Sequence, residues 1–355
     1  MAHSTVQLLA RRFLHLENKM YNDIEKLKEL DKIRGENFFA FAKIADFLNN
    51  IPKLLTSEII EEITGGVSEN HEKIVSTFLA TALCDSEDES ELLEKEYLKK
   101  SVKQLCPSNY TENPFFKNVK IPRVKEENWE LGYQSYDPYE CFVYDDIELL
   151  PNLREIPKIG YFTEEFSFPT VFEDGIEWMA IKPNEIETMK PHLAKMSGDV
   201  CVFGLGIGYF AYMASRKSEV NSVTVVERDS SVIKLFEKHI LPQFENKEKI
   251  KIVKADAFEY AKNTMPKEKF NHAFVDLWHD ASDGVELYIK MKRLEAKNSG
   301  TEFSYWIEKT LLSSIRWQIF SGIKQRIESG KFDEPYEKIL MYISDDYLKN
   351  FVKFL

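Results

Sequence analysis

The sequence predicts an α/β protein, a doubly wound and mostly parallel sheet with an all-helical N-terminal domain. Three observations predict it. From residue 199 on, short apolar runs alternate with amphipathic segments, which is the pattern of βαβ units. Residues 4 to about 105 carry a helical period throughout. Between these parts the period is lost, and proline and aromatic residues take over.

In chain order, VQLLARRFLHLENKMYNDIEKLKELDKI sets Leu8, Leu9, Phe13, Leu14, Leu16, Met20 and Tyr21 on one broad stripe. NFFAFAKIADFLNNI and HEKIVSTFLATALC keep that period. DSEDESELLEKEYLKK opens with Asp and Ser residues suited to capping and continues as an acidic, solvated helix. The stretch from Cys106 to Leu153 holds five of the 13 prolines and reads as an irregular or short-stranded connector. The limits that follow are a helical domain over 1–105, a connector over 106–160 and an α/β domain over 161–355.

Residues 161–182 read as short strands around a turn at Glu173-Asp174-Gly175. EIETMKPHLAKM reads as a short helix with Asn184 as N-cap. DVCVFGLG, SVTVVE, KIKIVKAD and HAFVDLW are the expected parallel strands. YFAYMASRK, SVIKLFEKHILPQF and AFEYAKN are the helices between them. No internal repeat is visible.

Composition narrows the function. With 43% hydrophobic and 30% charged residues in 355, the chain can build sizeable cores, and two domains are the better expectation. The 47 basic and 59 acidic residues give a formal charge of −12, which argues against general nucleic-acid binding. Cys84, Cys106, Cys141 and Cys201 are widely spaced, so neither a disulfide framework nor a zinc site is expected, and a cytoplasmic location is. The first twenty residues lack the long apolar core of a signal peptide, and no run of 18 apolar residues suggests a membrane span.

The chemistry concentrates at the ends of the expected strands. Gly204, Gly206 and Gly208 lie between the first strand and its helix, where backbone N–H groups favour a polar or anionic ligand. Tight strand–helix packing is the alternative. The dinucleotide fingerprint wants its third glycine one position later, and no Gly-Lys-Ser/Thr follows to make a phosphate loop. Glu227 ends the second strand, about twenty residues on, where a carboxylate can accept from two ribose hydroxyls. Asp256 and Ala257 end the third strand, and Asp256 also suits a helix N-cap. The fourth strand ends in Asp276, Trp278, His279 and Asp280.

With these residues the sequence resembles the class I S-adenosylmethionine-dependent methyltransferases, in particular their spermidine-synthase-like branch, over roughly residues 160–320. The resemblance implies a Rossmann-like methyltransferase fold and S-adenosylmethionine as cofactor. It implies that Gly204, Gly206 and Gly208 approach the methionine part, that Glu227 holds the ribose, and that Asp256 and Ala257 contact adenine. Asp276 is implied to meet both cofactor and acceptor and is the first catalytic candidate. His279 is the second, an imidazole being the commonest general base. Asp276 and Asp280 stand four apart, where aminopropyltransferases space two aspartates by three. The expected activity is therefore methyl transfer to a small-molecule or protein acceptor, with aminopropyl transfer and non-catalytic cofactor binding as alternatives. Glu177, Trp178, Glu185 and Thr188 lie upstream, where such enzymes close over the cofactor. Asp280, Asp283 and Gly284 also read as a helix start, and no metal site is expected. The helical part is expected to contribute substrate contacts or the contacts of a homo-oligomer.

Overall fold

A computed structural model describes residues 24–65 and 70–329. The apolar stripe from Leu8 to Tyr21 lies outside the described residues. The chain runs through α1 (Ile24–Asn50), α2 (Ser57–Thr64), α3 (His71–Leu83) and α4 (Glu87–Leu92). The last continues through a π-helical stretch, Leu93–Leu98, to Ser101. Local chemistry sets these starts: Thr56, Asn70 and Ser86 each accept a backbone N–H of the first turn.

β1 (Val102–Gln104) then enters a sheet instead of a linker. After α5 (Ser108–Thr111) and α6 (Pro114–Asn118) come β2 (Val124–Glu126), β3 (Trp129–Tyr136), β4 (Phe142–Leu149) and β5 (Glu155–Tyr161). The stretch over 106–160, read as an irregular or short-stranded connector, holds four strands, two of them eight residues long. The prolines sit mainly between these strands, while Trp129, Phe142 and Tyr161 on them are buried. β1 pairs in parallel with β5, which pairs antiparallel with β4. One sheet therefore spans the limits expected at 105 and 160.

That sheet is the floor of the helical part. Ala40, Ile44, Phe47, Val75, Leu79, Leu93 and Tyr97 pack with Val102, Ile156, Ile159 and Tyr161 in one core. Asn37 clasps the layers: it donates to Leu153 O (3.0 Å) and accepts from Glu155 N (3.1 Å) and the Tyr97 hydroxyl (2.9 Å). At 3% exposure it satisfies the rule that buried polar groups find partners.

β6 (Phe166–Glu173) and β7 (Ile176–Ala180) form the expected hairpin. Asp174 and Gly175 both take positive φ, 51° and 81°, as a tight two-residue turn requires. They complete a second antiparallel sheet, β2-β3-β6-β7. α7 (Pro183–Lys195) follows, with Lys182 and not Asn184 as N-cap. Pro183 starts that helix because its fixed φ and missing N–H suit the first turn.

The remaining elements alternate as expected: β8 (Gly198–Phe203), α8 (Tyr209–Ser215), β9 (Val220–Glu227), α9 (Ser230–His239), β10 (Ile250–Lys254), α10 (Ala257–Asn263) and β11 (His272–Val275). Beyond them lie α11 (Ala281–Glu295), β12 (Glu302–Tyr305) and α12 (Glu308–Ser329). Five strands form one wholly parallel sheet in the order β10-β9-β8-β11-β12. This is a Rossmann-like arrangement, and its order reverses between β8 and β11. Val200, Val202, Val223, Val225, Ala273 and Phe274 are at most 2% exposed, as strands covered on both faces must be. No described helix is long and apolar enough to cross a membrane.

Candidate functional site

The crevice of such a sheet opens at the carboxyl ends of its strands where the order reverses. Here that point lies between Gly204, after β8, and Asp276, after β11. Asp276 N–H donates to Phe203 O (2.9 Å), which locks the two strand ends together.

Each glycine of the turn has positive φ: 97° at Gly204, 53° at Gly206 and 79° at Gly208. Their neighbours differ in kind. A Cβ on Gly204 would stand 2.0 Å from the Asp276 carbonyl oxygen, and one on Gly208 would stand 2.3 Å from the Phe236 ring. Both are fixed atoms of the protein. A Cβ on Gly206 would stand 2.6 Å from Sδ of Met179, the far end of a flexible side chain. The turn is therefore not bare: Met179 lies against it, and Sδ accepts the N–H of Ile207 at 3.1 Å.

Glu227 is 8% exposed and turned to the glycine turn. One carboxylate oxygen accepts Leu205 N–H (3.1 Å) and the other accepts Asp229 N–H (2.8 Å). Each oxygen keeps a second lone pair. At the next strand end Asp256 caps α10, its Oδ1 accepting from Phe258 N and Glu259 N, both at 2.9 Å. Oδ2 has no protein partner among the described residues, and Ala257 is buried beside it.

Asp276 is half-buried, and its carboxyl makes no hydrogen bond or ion pair among the described residues. Burial pushes its pKa up to about 7. Glu185, on the first turn of α7, is 9% exposed and equally unpartnered. Burial raises its pKa well above the usual carboxylate range, the charge of Asp276 adds to the rise, and Lys182 opposes it. Two carboxyls that feel each other's charge favour a state in which one of them is protonated. Spacing along the sequence offered only a weak signal for Glu185, because α7 is packed against Asp276 by the tertiary fold.

The other candidates have neighbours of their own. Thr188 accepts the indole N–H of Trp306, just beyond β12, at 3.0 Å. Trp178 meets Trp129 edge-on at 5.1 Å. Glu177 pairs with Lys182. Trp278 is 5% exposed and packs over Gly284. His279 stands apart: its side chain is 71% exposed, and Nδ1 lies 3.2 Å from Asp283. Asp280 and Asp283 form a reciprocal capping box for α11. No group of three or more metal-ligating side chains occurs among the described residues.

No family model and no curated protein matches the chain. Among solved structures, spermidine synthase from Thermotoga maritima is similar over 53% of this chain and 81% of its own, with 14% identity and a TM-score of 0.30. A spermidine synthase in complex with the transition state analogue AdoDATO covers 53% of this chain and 80% of its own, also with 14% identity and a TM-score of 0.30. Such a likeness carries no argument about activity, and the fold rests on the strand order and register given above.

Proposed function

We propose that the chain is an S-adenosylmethionine-dependent transferase whose acceptor is held beside Asp276 and Glu185. One observation carries this reading. The strand order β10-β9-β8-β11 sets Asp256, Glu227, the glycine turn and Asp276 in a row along one edge of the sheet. A nucleoside laid along that row meets a polar group for its base, a carboxylate for its ribose diol, and a glycine turn for its 5′ substituent.

The residues present fit the nucleoside half. Glu227 retains acceptor capacity on both oxygens, and Asp256 retains Oδ2. Bound there, the cofactor would supply an electrophilic carbon on a sulfonium leaving group. The chain's own work is to orient the acceptor and to accept its proton. Orientation contributes most where the leaving group is already good. Asp276 suits the proton transfer, since a base with a pKa near the working pH is the most effective one. Glu185 supplies the second carboxyl. His279, on the rim and held by Asp283, is the lesser candidate.

Methyl transfer is the first reading. Aminopropyl transfer is the second, and the unpartnered Glu185–Asp276 pair favours it, because such a pair suits a cationic amine acceptor. Calorimetry with S-adenosylhomocysteine tests the shared premise. Binding is expected, with Glu227→Ala weakening it about tenfold or more through loss of a charged acceptor. NADH binding more tightly than S-adenosylhomocysteine would sink the proposal. Turnover with putrescine and the decarboxylated cofactor, against turnover with S-adenosylmethionine, separates the two readings.

A further inference from the structure

Among the described residues that stand nearest the three glycines of the turn, Met179 is the one that presents the end of a flexible side chain. Gly204 and Gly208 are explained by fixed atoms, the Asp276 carbonyl and the Phe236 ring. The three atoms nearest a Cβ on Gly206 all belong to Met179, whose unbranched side chain changes rotamer easily. The contact to Ile207 N–H is a weak hydrogen bond, because sulfur is a poor acceptor.

The backbone aims this side chain deliberately. In the β6–β7 hairpin Val171 pairs with Met179 while Phe172 pairs with Glu177, so Trp178 is an extra, bulged residue. Bulges re-aim side chains and gather beside functional sites. Trp178 is pinned edge-on by Trp129 just before Met179, and Ala180 just after it pairs with Thr170 of β6, so the strand is held on either side. A fixed strand thus presents a movable tip to the middle glycine.

We propose that Met179 is a specificity gate for the 5′ substituent of the bound nucleoside. The inference rests on the nucleoside reading above. Base and ribose at Asp256 and Glu227 leave the 5′ substituent over β8, where Met179 stands. A short substituent fits beside the thioether. A long one requires Met179 to swing off Gly206 and Ile207, and its apparent affinity falls by the fraction of molecules in which the gate is open.

The test is calorimetry of the full chain with adenosine, 5′-methylthioadenosine and S-adenosylhomocysteine, which differ only at the 5′ position. Met179→Ala is expected to tighten S-adenosylhomocysteine about tenfold, as for a gate open about one time in ten, and to change adenosine less than about threefold. Met179→Leu keeps the bulk and is expected to behave like the parent protein, with thermal melting confirming that both variants fold. Equal changes for adenosine and S-adenosylhomocysteine in Met179→Ala, or no change for either, overturn the gate and leave the nucleoside reading standing. Absence of binding by all three ligands to parent and variants overturns the nucleoside reading, and the gate with it.

Discussion

The carbonyl oxygen of Asp276 occupies the space that a side chain on Gly204 would need, 2.0 Å from an ideal Cβ. The backbone after β11 therefore requires glycine after β8, although 72 residues separate the two positions. The close approach is what lets the edge of the sheet hold a turn and a carboxyl side by side.

Gly204→Ala is accordingly expected to be severely destabilising. It combines a φ of 97° with a backbone clash that no rotamer relieves. A loss of about 3 kcal/mol or more is expected from chemical denaturation. A loss below about 1 kcal/mol would show that the two strand ends are free to separate.

Asp276→Asn tests the carboxyl pair through pH. The native Asp276 holds its proton up to about pH 7, while an unfolded aspartate releases it near ~3.9. Between these values the native state binds more protons, so this group's contribution to stability is full below about pH 4 and is lost as pH rises through about 7. The asparagine variant is expected to melt about 2–4 °C higher than the parent at pH 8 and to show a smaller difference at pH 5. In the parent, turnover should rise with pH through about 7 as the base deprotonates. A pH-independent difference in melting would mean that the carboxyl is ordinary.

The buried ion pair of Glu155 with Arg316 ties α12 to β5, with Ser313 and Trp317 donating to the same carboxylate at 2.6 and 2.8 Å. Both charged residues are 1% exposed. Glu155→Leu alone is expected to cost about 3–5 kcal/mol, because Arg316 is left buried beside an apolar side chain. Adding Arg316→Met should recover much of that loss, as measured by urea unfolding. A double variant as unstable as the single would point to packing and not charge.

Asp146, on β4, caps α12 from another element. It accepts Lys309 N at 3.0 Å, Thr310 N at 3.1 Å and the Thr310 hydroxyl. Asp146→Ala is expected to cost about 1 kcal/mol, and Asp146→Asn less, since an acceptor oxygen remains. Hydrogen exchange at the first turn of α12 is the direct readout.

The sequence by itself determined the features written in short range. The turn at Asp174-Gly175, the cap at Ser86, the alternation from β8 to β11 and the positive-φ glycines all follow from patterns a few residues long. The strands within 106–160 were legible only as an option, and their pairing was not, because the partners lie far off, as β3 with β6 and β1 with β5. The row of polar residues from Asp256 to Asp276 was partly legible, since each member ends its own strand. Tertiary structure alone decided the approach of Glu185 to Asp276, the placing of Met179 on Gly206 and the burial of Glu155 with Arg316. Those contacts depend on how helices and sheets pack once formed, and residues 27 to 161 positions apart leave no local pattern by which such packing shows itself.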